Sequence, residues 1–122
     1  MEAKKKPSQE EYIRELDIPS CLKEGFNLLV DDIYLVAGGR LTVCGYILGG
    51  SVRAGETFQV MKETGIIEGT IDEVDVHCWD RPADGVGYRS EHVALTIGGL
   101  KKGDLLPGER ILIRNAGKYS CD

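Results

Sequence analysis

The chain has 122 residues, 42% of them hydrophobic, and its 20 acidic and 15 basic side chains give a formal charge of -5, enough material for one domain with a sizeable core and hardly for two. Residues 26–114 hold 13 acidic and 9 basic side chains, a balance opposed to a partner gripped mainly through nucleic-acid phosphates. No apolar run approaches the roughly 18 residues of a membrane span, and Met1 to Lys6 is not followed by the apolar stretch of a signal peptide, so a cytoplasmic protein is expected.

Lys4, Lys5 and Lys6 read as a solvated tail. Ser8 and Glu11 match a capping box, and Tyr12, Ile13 and Leu16 follow at helical spacing. The pattern predicts a short helix from Gln9 to Leu16, ended before Pro19, with its apolar side packed on the rest of the domain. From Phe26 the pattern changes to short apolar segments between glycine and acidic turns: 26–36, 40–48, 57–62, 66–78, 91–97 and 109–114. Within 40–60, the run carrying Val43 and Ile47 turns at Gly49 and Gly50 and resumes through Val52, Phe58 and Val60, reading as two strands folded back on each other. In 70–76 the alternation slips between Ile71 and Val74, which places a bulge at Asp72 and Glu73. Segments of this length and spacing make a sandwich or a closed barrel, and closure has the advantage of removing exposed sheet edges. The stretch 79–90, with Pro82, Gly85 and Gly87, reads as a mobile surface loop. Trp79 opens it, either plugging the barrel end, the favoured reading, or standing exposed as a contact residue.

Signals for chemistry are weak. Cys21, Cys44, Cys78 and Cys121 form no C-x-x-C pair; Cys44 and Cys78 read as small apolar strand residues, while Cys21 and Cys121 lie in the flanking segments, where they could approach each other. Asp75 and His77 are two apart on a strand and share a face with His92 near by, an arrangement read as a solvated rim with no metal assigned. No G-x-x-x-x-G-K-[ST] loop and no G-x-S-x-G elbow occurs, and the Gly38-Gly39 and Gly49-Gly50 pairs precede no helical pattern. The expectation is a protein that is not an enzyme, has no cofactor and binds no GTP through this chain alone. The acidic set Glu68, Asp72, Glu73 and Asp75 favours a basic partner.

Certain pieces, in order, carry a resemblance. They are Phe26 to Tyr34 (FNLLVDDIY), Gly45-Tyr46-Ile47 leading into Gly50 to Glu56 (GSVRAGE), Val74 to His77, Val93-Ala94-Leu95 with Gly98-Gly99-Leu100, and Leu106 to Leu112 (LPGERIL). Together they resemble the second domain of translational GTPases such as elongation factor Tu, here as a stand-alone domain without the GTPase domain. The resemblance implies an all-β fold, a small closed six- or seven-stranded antiparallel β-barrel, with a short N-terminal helix added. In that family the barrel helps hold the aminoacylated end of tRNA. The family's acidic pair is matched by Asp31 and Asp32, its aromatic by Tyr34, its acid beside the terminal adenine by Asp75, and its asparagine falls at His92. The glycine-arginine-glycine turn is displaced to Gly38-Gly39-Arg40, a threonine is replaced by Cys44, and the glycine-acid-x-valine-glycine turn has become 90–94, SEHVA. Half of the site persists.

The expected organisation is an extension over 1–25, the barrel over 26–114 and a tail over 115–122. The expected function is a non-enzymatic binding or adaptor module that recognises a protein or ribonucleoprotein partner, with Asp32, Tyr34, Asp75, His92, Trp79 and Arg81 as binding residues. Translation-related RNA binding and a detached subunit of a GTPase are the alternatives, and no DNA or membrane partner is expected.

Overall fold

A computed structural model describes residues 9–77 and 81–114. Six strands close a barrel in the order β1-β2-β7-β5-β4-β8, every pairing antiparallel: β1 Phe26–Leu35, β2 Leu41–Gly49, β4 Thr57–Lys62, β5 Gly65–Val76, β7 His92–Gly98 and β8 Arg110–Ile113. Two further short strands, β3 Ser51–Arg53 and β6 Val86–Tyr88, pair with each other as a separate ribbon. The all-β closed barrel of six strands is the fold expected from the resemblance.

The alternation of the sequence makes the core. Leu41, Val43 and Ile47 of β2, Val93, Leu95 and Ile97 of β7, and Phe26, Leu28 and Val30 of β1 all point inward and are buried, and Phe58, Val60, Ile71, Ile111 and Ile113 complete the lining. Each such side chain stabilises the fold by about 1.5–3 kcal/mol relative to an exposed one. Gly45 occupies the inward position of β2 beside Leu28, because a Cβ there would strike the Leu29 carbonyl and the Leu28 side chain. The bulge expected near Asp72 is present: Ile71 faces Ile97 and Glu73 faces Thr96, leaving Asp72 as the extra residue. A second bulge, which the sequence pattern does not signal, makes Asp31 the extra residue of β1, since Val30 faces Gly45 and Asp32 faces Cys44.

The hairpin expected across 40–60 is corrected. The chain does turn at Gly50, whose φ of 77° favours glycine, but β2 does not pair with the strands beyond the turn. Both edges of β2 are taken, by β1 and by β7, so β3 leaves to pair with β6 and β4 pairs with β5 and β8. A Cβ on Gly50 would lie 2.6 Å from the Phe26 Cα, so the turn is pressed directly against the start of β1.

The helix expected over Gln9–Leu16 is found with those bounds as α1. A second helix comes next, α2 Ile18–Lys23, with Pro19 in its first turn, where a missing amide hydrogen costs nothing. Pro19, expected as a stop, thus serves as a start. Tyr12, Leu16, Ile18 and Cys21 pack with Val86 and Tyr88, so the apolar side of α1 does sit on the β3-β6 end of the domain. Arg89 ties the arrangement, donating to Glu24 Oε1 at 2.7 Å and to the Leu16 carbonyl at 3.2 Å, while Glu24 Oε1 accepts from the Gly50 amide at 3.2 Å.

The described part of the 79–90 stretch is a surface loop only in part: residues 82–85 are irregular and exposed, whereas 86–88 form a strand. Residues 81–90 contain β6 and are fixed by Arg81 and Glu91, whose side chains are 4% and 0% exposed and meet at 2.8 Å. Cys44 is also corrected: it stands on the outward side of β2 and is only partly buried, whereas Cys21 is fully enclosed and its thiol donates to the Leu16 carbonyl at 3.2 Å. The readings of Lys4 to Lys6, Ser8, Cys78, Trp79 and Cys121 lie outside the described residues. Among the described residues no helix is long and apolar enough to cross a membrane.

Candidate functional site

Antiparallel register places residues from distant segments side by side on one face. Asp32 of β1 faces Cys44 of β2, Cys44 faces Ala94 of β7, and Ala94 faces Asp75 of β5. These four form a single row on the outside of the barrel. A neighbouring row runs Tyr34, Thr42, Thr96 and Glu73, and on the other side Tyr46 faces His92, with the His77 amide donating to the His92 carbonyl at 2.9 Å. The two bulges set these rows. The extra residue at Asp31 lets Asp32 and Tyr34 point outward after Val30 points in, and the extra residue at Asp72 does the same for Glu73 and Asp75 after Ile71.

Four of the sequence-predicted site residues, Asp32, Tyr34, Asp75 and His92, therefore share one outer wall made by β1, β2, β7 and β5. Tyr34, Asp75 and His92 each lie at or next to an end of their strands, β1, β5 and β7. Tyr34 is 54% exposed. The Tyr46 and His92 rings meet at 5.0 Å with a 59° tilt, forming an aromatic ledge beside the central row. Thr42, Thr96, Ala94, Glu73, Val74 and Asp75 line a shallow trough between β2 and β5, its floor low because Ala94 is small.

The wall is negative. Asp31, Asp32 and Glu73 have no cation beside them among the described residues, and Asp75 has only His77, at 3.6 Å. Arg40 approaches Asp72 at 3.7 Å at the edge of the wall. Cys44 registers this field: burial raises its thiol pKa, and the charges of Asp32 and Asp31 raise it further. The thiol is thereby held protonated, which is the opposite of activation as a nucleophile. Among the described residues no group of three or more histidine, cysteine, aspartate or glutamate side chains is placed to hold a metal ion.

Arg81 is brought elsewhere. Its guanidinium donates to both carboxylate oxygens of Glu91 at 2.8 Å, to Asp84 Oδ1 at 2.9 Å and to the Val86 carbonyl at 2.6 Å, and it lies 4.9 Å from the Tyr88 ring centre. Glu91 also accepts from the Tyr12 hydroxyl at 2.7 Å and the Tyr88 amide at 2.9 Å. Burial alone would raise the Glu91 carboxyl, but the hydrogen bonds from Arg81, Tyr12 and Tyr88 outweigh it and hold the group below the usual carboxylate range. Arg81 thus ties α1 and the 81–91 segment to the base of β7, one residue from His92, and offers no free donor to the surface. Sequence reasoning did not single out Tyr46, Thr42, Thr96 or Ala94 as wall residues. Their period-of-two spacing with Cys44 and His92 was the available signal, and it needed the strand register to become a surface.

No protein-family model matches the chain, and neither does any curated protein. Among solved structures, translation elongation factor SelB from Methanococcus maripaludis, in its apo form, is similar with a TM-score of 0.63 and 15% identity over 75% of this chain. The likeness spans 19% of that factor's length, and at such identity it is a likeness of fold. With six antiparallel strands closed in the order found here, the chain shares a closed β-barrel fold with part of that elongation factor.

Proposed function

We propose that this chain is a non-enzymatic, cytoplasmic binding module that docks a protein or ribonucleoprotein partner on the wall of β1, β2, β7 and β5. The observation that carries the reading is the convergence of Asp32, Tyr34, Asp75 and His92, drawn from β1, β5 and β7, onto one outward face that no described part of the chain covers. Unpaired carboxylates beside exposed aromatics are a surface suited to recognition, and they contribute nothing to the core. Arg81 fixes Glu91, the residue before His92, and Trp79 remains a binding residue of the proposal on sequence grounds.

The experiment is affinity capture from the protein's own cell extract, comparing the wild type with the combined Asp32→Ala, Tyr34→Ala, Asp75→Ala and His92→Ala variant, with and without nuclease and at two salt concentrations. Loss of a nuclease-resistant partner in the variant supports the reading. Capture that is unchanged by all four substitutions overturns it. The shared barrel fold with a translation elongation factor keeps translation-related RNA as the second reading, and that reading predicts a captured RNA or ribosomal particle lost on nuclease and at high salt.

A further inference from the structure

The wall has a spacing that specifies its partner. Asp32 and Asp75 stand at the two ends of one row with Cys44 and Ala94 between them, three strand intervals apart. At about 4.8 Å per interval their backbones are about 14 Å apart across the sheet. An extended peptide advances about 3.4 Å per residue, so two side chains four positions apart span the same distance. Between the two carboxylates the surface offers the small Ala94 and the partly buried Cys44 thiol, with Thr42 and Thr96 one row away. That floor accommodates small, uncharged residues. Tyr34 on one flank, and Tyr46 with His92 on the other, border the track with aromatic faces that suit guanidinium groups.

We propose that the occupant of this wall is an extended basic segment of a partner protein, running across the four strands with two arginines four residues apart and small residues between them. This inference rests on the docking reading above and names the chemistry of its partner. Charge decides for such a segment and against a nucleic acid. Asp31, Asp32, Glu73 and Asp75 lie around the track, and Arg40 stands at its edge beside Asp72 at 3.7 Å. A phosphate backbone brought to this face meets mainly carboxylates, whereas a guanidinium meets a partner at each end of the row. The trough, lined by Thr42, Ala54, Ala94, Thr96 and residues 72–75, is an independent feature of shape and coincides with the Ala94 and Asp75 half of the track.

The probe is a five-residue peptide with arginine at both ends and alanine, serine and alanine between them, titrated into the full chain labelled with ¹⁵N at low salt. Three controls accompany it: the same composition with the arginines adjacent, the same peptide with glutamate ends, and a single-stranded RNA oligonucleotide. The expected result is amide shifts confined to residues 32–34, 42–46, 73–77 and 92–96, with the spaced peptide binding several-fold more tightly than the adjacent one. Exposed ion pairs are each worth up to about a fivefold change, so Asp32→Asn with Asp75→Asn should weaken the spaced peptide by about two- to twenty-fivefold. Equal binding of the spaced and adjacent peptides, or an unchanged affinity in the double variant, overturns the proposal.

Outcomes for the wall as a whole remain separable. If the RNA shifts the wall amides and the peptides do not, the docking surface stands and its basic-peptide partner falls. If nothing shifts them and the fourfold alanine variant captures every partner that the wild type does, the docking reading itself falls.

Discussion

Replacing Glu91 by alanine probes the most concentrated polar interaction in the molecule. The carboxylate is 0% exposed and accepts four hydrogen bonds, from Arg81 Nε and Nη2 at 2.8 Å, the Tyr12 hydroxyl at 2.7 Å and the Tyr88 amide at 2.9 Å. Removing it leaves a guanidinium whose side chain is 4% exposed with one carboxylate, Asp84, and two carbonyls. Breaking a buried pair from one side costs about 3–5 kcal/mol. For a domain of this size that corresponds to a fall in Tm of about 10–25 °C. Replacing both partners, Glu91→Leu with Arg81→Met, removes the stranded charge and is expected to cost less than Glu91→Ala alone, because much of the single-variant loss is an unpaired ion in a dry site. Urea and thermal unfolding, each followed by circular dichroism, give both values. A loss below about 1 kcal/mol for Glu91→Ala, or a double variant as unstable as the two singles added together, would show that the pair is not the clamp described.

The same carboxylate sets an acid limit. Its folded pKa lies below the ordinary 4.5, so its contribution is complete above about pH 4.5 and is lost as pH falls through the folded value; Glu91→Gln should flatten the stability profile over that window in a pH series of unfolding curves. Tyr88 acts at the other end. Burial, and then its hydrogen bond to Asp84 at 3.0 Å, pushes its hydroxyl up to about 12, so stability present below pH 10 is lost as pH rises towards 12, and Tyr88→Phe should remove that alkaline slope. Gly50→Ala meets both a φ of 77° and a Cβ site 2.6 Å from the Phe26 Cα, and is expected to destabilise by about 2–4 kcal/mol in urea unfolding. Ser90 holds a φ of 74° while exposed, so Ser90→Gly should leave stability unchanged or raise it by up to about 1 kcal/mol.

What the sequence made legible was whatever depends on local pattern. The apolar alternation in 41–47 and 93–97 places the inward residues of β2 and β7, and the slip between Ile71 and Val74 marks a true bulge. Pairing partners were not legible, because a turn signal such as Gly49-Gly50 states that the chain changes direction and is silent on which edge is vacant. Arg81 was misplaced for a related reason. A charged residue in a stretch rich in proline and glycine reads as solvated, and only the structure brings Glu91, Asp84 and the Val86 carbonyl around it. The resemblance points to Asp32 and Asp75 one strand at a time. Their membership of one row is a consequence of register alone.

The two polar clusters of this domain differ in a way that separates structure from recognition. Around Arg81 and Glu91 each ionised group is met by an opposite charge and by backbone groups, so the cluster is internally satisfied and has nothing left to offer a partner. On the wall the arrangement is reversed. Asp31, Asp32 and Glu73 are exposed and unmatched among the described residues, yet their outward direction is fixed by two bulges, each at an extra acidic residue. A solvated sheet face needs no such bulges to keep carboxylates in water, and like charges on neighbouring strands weaken the sheet slightly. Neutralising the wall with Asp31→Asn, Asp32→Asn and Glu73→Gln is therefore expected to leave Tm unchanged or raise it by a few degrees while reducing partner capture. A substantial fall in Tm would instead make these acids part of the fold's own support.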